Sequence, residues 1–84
     1  MIDNEWAGPT DKIWNDMQCK KMINWYEDDL EECKKKCYND RRCNSFIFGS
    51  GNCNLRDCPS PIPEPISYKA GHRGYYRLSG KIKE

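Results

Sequence analysis

Leu30-Glu31-Glu32-Cys33-Lys34-Lys35-Lys36-Cys37-Tyr38, followed by Cys43-Asn44-Ser45-Phe46-Ile47-Phe48 and Cys53-Asn54-Leu55-Arg56-Asp57-Cys58, is the stretch that decides the fold. Its first part opens with acids and ends with cations, which suits the positive and negative ends of a helix dipole. Asp28 or Asp29 can cap the helix, with Glu31 or Glu32 three residues on to reciprocate. Leu30, Cys33 and Cys37 fall on one face, and the lysines point mostly elsewhere. Glu31 with Lys35 and Glu32 with Lys36 have the i,i+4 spacing and the orientation that favour ion pairs. The stretch predicts a one-sided helix of about three turns, ended by Asn39-Asp40.

Working outward, Ser45-Phe46-Ile47-Phe48 is a short aromatic and β-branched run. Gly49-Ser50-Gly51-Asn52 turns the chain, and Cys53–Cys58 reads as the returning strand of a hairpin with a longer, glycine-containing loop. Pro59-Ser60-Pro61-Ile62-Pro63-Glu64-Pro65 is too rigid for a helix or central strand. Its alternate prolines give no Pro-x-x-Pro register for a proline-recognising partner, so it reads as a stiff loop. Gly71–Leu78 is a candidate last strand. Before the helix, Ile13, Trp14, Met17, Cys19, Met22, Ile23, Trp25 and Tyr26 recur without helical spacing and suggest one or two short strands. Residues 1–12 read as a loose lead-in, 13–80 as a single domain and 81–84 as a tail, with no internal repeat.

Eighty-four residues make one small domain, whose core alone supplies little net stability. Only 37% of the chain is hydrophobic and 32% is charged, a balance that leans toward disorder unless something else holds the chain. Cys19, Cys33, Cys37, Cys43, Cys53 and Cys58 are the remedy, since an even number at this density reads as a disulfide framework from an oxidising compartment. Six cysteines allow 15 pairings, among which spacing does not choose. A zinc site is the competing reading. Successive cysteines are separated by thirteen, three, five, nine and four residues, and His72 is the sole histidine, so matched zinc knuckles are absent and no metal is expected.

Nothing approaches the roughly 20 apolar residues that span a bilayer, so no membrane insertion is expected. Met1-Ile2-Asp3-Asn4-Glu5 has neither a basic nor an apolar leader region and reads as the start of a mature segment. No Asn-x-Ser/Thr acceptor occurs. Residues 1–32 carry nine acids against three lysines, and residues 33–84 carry eleven Lys/Arg against four acids. The imbalance suggests a polar molecule with a basic face; a mixed surface interleaved by folding accounts for it equally well.

The run Leu30-Glu31-Glu32-Cys33-x3-Cys37-x5-Cys43-Asn44-Ser45-Phe46-x6-Cys53-x-Leu55 resembles the PAN/apple domain family over roughly Leu30–Cys58. That family has a helix with two cysteines one turn apart, a cysteine before a small-Phe-x-aromatic strand, and a further cysteine followed by x-Leu. The resemblance implies an α+β fold: one disulfide-pinned helix on a twisted, mostly antiparallel sheet of about five strands. It also implies Cys33–Cys53 and Cys37–Cys43 bridges, which leaves Cys19 with Cys58. That third bridge departs from the usual apple pattern, in which the extra bridge ties the domain ends together. Phe46, Phe48, Leu55, Leu30, Trp25 and Tyr76 should build the core, with one or two other aromatics at the surface, free to stack on a sugar ring or anchor a protein.

His72 beside Arg73 reads as a solvated loop residue, bridged cysteines offer no thiolate, and the Glu27–Glu32 carboxylates are explained by capping. No catalysis and no cofactor are therefore expected. PAN and apple modules are recognition units for proteins or glycans, and some bind sulfated polysaccharides through cations on the helix and adjoining strand. The resemblance thus implies an adhesion-type module for an extracellular protein or glycan; the cysteine framework points to secretion, and a monomer is expected. Lys20, Lys21, Lys34, Lys36, Arg41 and Arg42 are its candidate ligand contacts, with Lys35 nearby. The plainer reading is that these cations solvate the outer helix face. A secreted effector, inhibitor or toxin acting on a host or prey protein is the alternative, and a structural matrix component a second one. Nucleic acid is disfavoured by the near-zero net charge and the disulfide framework.

Overall fold

Asp29 starts the helix as the sequence predicts. Its extended backbone (φ −106°, ψ 109°) leads into α1, Leu30–Tyr38, and its Oδ1 accepts the Glu31 N–H at 3.0 Å. The Asp29 N–H donates to Glu27 Oε2 at 3.2 Å, so an acid before the cap satisfies it. Asn39 closes the helix, its N–H donating to the Lys35 and Cys37 carbonyls. The expected i,i+4 pairs are replaced by i,i+3 pairs, Glu31–Lys34 and Glu32–Lys35, each at 3.4 Å. Lys36 instead lies over the Trp25 ring, 5.9 Å from its centroid, an attraction that competes with an exposed carboxylate.

The structure, a computed structural model, describes residues 6–78. Along the chain run β1 (Trp6–Thr10), β2 (Lys20–Tyr26), α1, β3 (Ser45–Gly49), β4 (Asn52–Asp57) and β5 (His72–Arg77). The strands form one sheet in the order β1-β5-β3-β4-β2, every neighbouring pair antiparallel. The fold is thus α+β, a single helix on a five-stranded sheet. The β3–β4 hairpin has a two-residue loop, shorter than expected. Ser50 (φ 50°) and Gly51 (φ 79°) both take positive φ, the geometry whose twist matches two joined strands.

Two departures from the sequence reading lie before the helix. Trp6–Thr10, expected as part of a loose lead-in, is edge strand β1: Trp6 faces Arg77 and Ala7 faces Tyr76. Gly8-Pro9 hides the strand by breaking its alternation, yet proline is tolerated at a sheet edge. Ile13–Cys19 does not form a strand. Ile13 makes an isolated bridge to Ser67, and Asn15 Oδ1 accepts the Met17 and Gln18 N–H groups at 3.0 and 2.9 Å, a local turn that competes with strand pairing.

Cys33 is bonded to Cys53, Cys37 to Cys43 and Cys19 to Cys58, and no described cysteine is free. The bonds divide between the two faces of the sheet. On the helix side, the Cys33–Cys53 and Cys37–Cys43 bridges join Phe46, Leu55 and Trp6, flanked by Met22, Trp25, Leu30, Tyr38, Phe48 and Tyr75. Trp6 meets Phe46 edge-on at 5.1 Å, and Tyr75 stacks on Phe46 at 5.0 Å. On the other side, the Cys19–Cys58 bridge packs with Trp14 and Ile47, and Ile13, Ile62 and Tyr76 close over them. Tyr76 therefore belongs to a second small core, centred on Trp14, whose Nε1 donates to the Pro63 carbonyl at 2.7 Å. That bond ties the proline-rich loop down. Tyr26 and Tyr68 are the strongly exposed aromatics among the described residues.

Candidate functional site

A bulge in β2 organises the sheet face opposite the helix. Lys21 stands opposite Arg56 and Asn24 opposite Asn54, so Met22 and Ile23 together face Leu55. In a regular strand, residues three apart point to opposite faces. The extra residue turns both Lys21 and Asn24 to the helix-free face, while Met22 packs toward the helix. Strand β4 supplies the complementary row: Asn52, Asn54 and Arg56 point to the free face, while Cys53 and Leu55 enter the core.

These side chains line a groove of about 250 Å³ whose floor is Ile47. Ile13 borders it, and Lys69 and His72 complete the lining. Tyr26, paired opposite Asn52, projects on this same face against the hairpin turn and is 81% exposed as a residue. None of the described lining residues is a carboxylate.

Arg56 is held rigidly. Its Nη1 donates to Asp16 Oδ1 at 2.6 Å and to the Cys19 carbonyl at 3.1 Å, and its Nε donates to Asn54 Oδ1 at 2.9 Å. The Arg56 hydrogen bond and charge hold the Asp16 carboxyl below its ordinary value of 3.8, against an opposing desolvation and with a still smaller contribution from Lys21. Because the Asn54 oxygen is occupied, its amide can offer donors to a ligand. Asn52 Nδ2 donates to the Ser50 carbonyl at 3.3 Å, which leaves its oxygen as an acceptor. His72 Nδ1 lies 3.2 Å from the Ala70 carbonyl, leaving Nε2 for the groove. The site offers amides, fixed positive charge and an exposed ring, and its lining includes no hydroxyl, thiol or carboxylate nucleophile.

The six cations singled out in the sequence do not form one cluster, although Lys36 and Arg41 border a common hollow. Lys21 lies in the groove, whereas Lys20, opposite Asp57 and one residue earlier, turns to the other face. Lys34 is mostly covered and paired with Glu31. Lys36 belongs to two shallow hollows on the helix side, one of about 370 Å³ with Ile23, Trp25, Glu27 and Glu32 and one of about 450 Å³ with Asn39, Asp40 and Arg41. Arg42 sits 3.8 Å from Asp40. Asn24, Asn52, Asn54, Arg56, Lys69 and His72 line the groove and are not among those six cations. One signal was present: Asn52-x-Asn54-x-Arg56 alternates with Cys53 and Leu55, which places three polar side chains on the face away from the core.

Among the described residues no cluster of three or more His, Cys, Asp or Glu could hold a metal ion, and no helix is long and apolar enough to cross a membrane. No protein-family model, curated protein or solved structure matches the chain significantly.

Proposed function

We propose that this chain is a secreted, non-catalytic recognition module that binds an extracellular glycan through the groove on the helix-free face of its sheet. The observation that carries the reading is the groove's lining, amide side chains from two paired strands with basic groups beside them, on the same sheet face as the exposed Tyr26. Hydroxyl-rich ligands need paired donors and acceptors at fixed spacing, and planar amides on adjacent strands supply both. An exposed tyrosine offers a flat apolar face beside a polar rim. Three disulfides in so small a domain are compatible with an extracellular setting. The PAN/apple resemblance supports recognition in place of catalysis, and kinship with that family is part of the proposal.

A glycan array tests the reading. Wild-type protein should bind a defined subset of glycans, and Asn24→Ala with Tyr26→Ala should abolish that binding while near-ultraviolet circular dichroism stays unchanged. Binding that survives both substitutions, or none on the array, contradicts it. The effector reading has its own supporting observation, the half-apolar hollow of Ile23 and Trp25 beside Lys36 on the helix side, which suits a protein side chain. Loss of partner capture on Trp25→Ala, with the groove variant still active, would favour that alternative.

A further inference from the structure

We infer that two copies of this chain join edge to edge along β2, about a two-fold axis, into one continuous antiparallel sheet. The contact is independent of the glycan reading and takes a different partner, a second copy of the chain. Strand β2 ends the sheet, and five of its seven residues, Lys20, Lys21, Ile23, Asn24 and Tyr26, are exposed. The other edge strand, β1, carries Pro9, which has no N–H to give a partner. Along β2 the Glu27 N–H donates to the Gly51 carbonyl at 2.7 Å, and Trp25 stands opposite Cys53 in the same register. Backbone groups in an antiparallel pair alternate sides, so Trp25 and Glu27 turn theirs toward β4. Those of Asn24 and Tyr26 therefore point out of the sheet, where no described residue bonds them. An unpaired row of this kind is a template for another strand.

Charge selects the second copy as that strand. Strand β2 begins with Lys20-Lys21 and runs into Glu27-Asp28-Asp29. Lysines at a sheet edge discourage pairing with most strands, but an antiparallel copy brings acids to them. Pairing Asn24 with Tyr26 of the second copy, and Tyr26 with its Asn24, uses every outward backbone group of the two residues. In that register the two Trp25 side chains meet at the axis on the helix side. Each borders, with Ile23, a half-apolar hollow of about 370 Å³ that the other copy then covers. The β2 bulge takes up one residue, so Lys21 comes opposite the exposed Asp28 of the second copy. Opposite charges facing each other across a ladder favour this register. The contact is isologous and closes as a dimer. Its axis stands perpendicular to the sheet, so both grooves open on the same side, and a ligand long enough to span them is held twice.

The test is sedimentation equilibrium of the intact, oxidised protein from about 10 μM to about 1 mM. The mass should rise from 9.9 kDa toward twice that value. Asn24→Pro removes an outward N–H and no bond to β4, so this variant should stay a monomer throughout with unchanged near-ultraviolet circular dichroism. Two further variants test the register without touching the backbone. Lys21→Glu and Asp28→Lys should each weaken self-association about tenfold, because like charges then face each other. An equimolar mixture of the two should restore the dimer, since each variant meets its opposite charge in the other. A monomer at every concentration overturns the inference. So does a dimer that survives Asn24→Pro, or a mixture of the charge variants that associates no better than either alone. The glycan reading stands or falls separately, on the array.

Discussion

Asn44 and Cys58 are joined by two hydrogen bonds in the buried interior: Asn44 Nδ2 donates to the Cys58 carbonyl and Asn44 Oδ1 accepts the Cys58 N–H, both at 2.9 Å. The side chain is fully buried, and the Asn44 carbonyl also accepts the Arg77 N–H at 2.9 Å. One residue thereby fixes the end of β4, the Cys19–Cys58 bridge and the end of β5. Asn44→Ala leaves both backbone groups of Cys58 unpaired in a dry site, and stability should fall by about 3 kcal/mol in urea unfolding. Asn44→Asp should do no better, because one carboxylate oxygen then faces the Cys58 carbonyl. A loss below about 0.5 kcal/mol for the alanine variant would mean that water replaces the amide.

The Asp16–Arg56 pair predicts a particular acid branch. The Asp16 carboxyl is held below its ordinary value in the folded protein, so the folded state stabilises the charged form. Its contribution is fully present above the ordinary value of 3.8 and disappears as pH falls through the lowered folded value. Stability curves of wild type and Asp16→Asn should run parallel from neutral pH to about pH 5 and converge below about pH 4. Convergence on the alkaline side instead would show that another group carries the dependence.

Loop length ranks the three disulfides. The bonded cysteines are 39, 20 and 6 residues apart for Cys19–Cys58, Cys33–Cys53 and Cys37–Cys43. Restricting the unfolded chain is then worth about 4, 3 and 2 kcal/mol in that order. Paired cysteine-to-alanine variants should lose stability in the same order by thermal unfolding. The reverse order would mean that packing around the helix, and not chain restriction, dominates the framework.

Gly74 marks where β1 and the segment after it cross β5. A Cβ there would lie 2.7 Å from Thr10 Oγ1, 2.9 Å from the Lys12 carbonyl and 2.9 Å from Trp14 Cζ3. Two of these neighbours are a backbone carbonyl and a buried ring, neither free to move. Gly74→Ala should cost about 1–3 kcal/mol and shift the Trp14 fluorescence as the ring is displaced. An unchanged melting temperature would show that the crossing relaxes freely.

The helix was legible because its cap, its charge gradient and the i,i+4 spacing of Cys33 and Cys37 are local signals that agree. The β3–β4 hairpin was legible for the same reason, apart from the length of its loop. Strand β1 was hidden by Gly8-Pro9, and the second core by Trp14, whose neighbours Ile62, Pro63 and Tyr76 lie 48, 49 and 62 residues away in sequence. The groove was hardest to foresee. Its lining comes from Ile13, β2, Ile47, β4, Lys69 and His72, and long-range strand pairing alone brings these together. The β2 bulge is what sets Lys21 and Asn24 side by side, and a strict two-residue alternation would have separated them.

The most direct test of the account is to locate the ligand contact on the protein. Glycans that score on the array should be titrated into isotope-labelled, oxidised protein, and the shifted amide resonances assigned. The account predicts changes concentrated at Lys21, Asn24, Asn52, Asn54, Lys69 and His72, with α1 unaffected. Changes centred on Lys34, Lys36, Arg41 and Arg42 would contradict it and place recognition on the helix side.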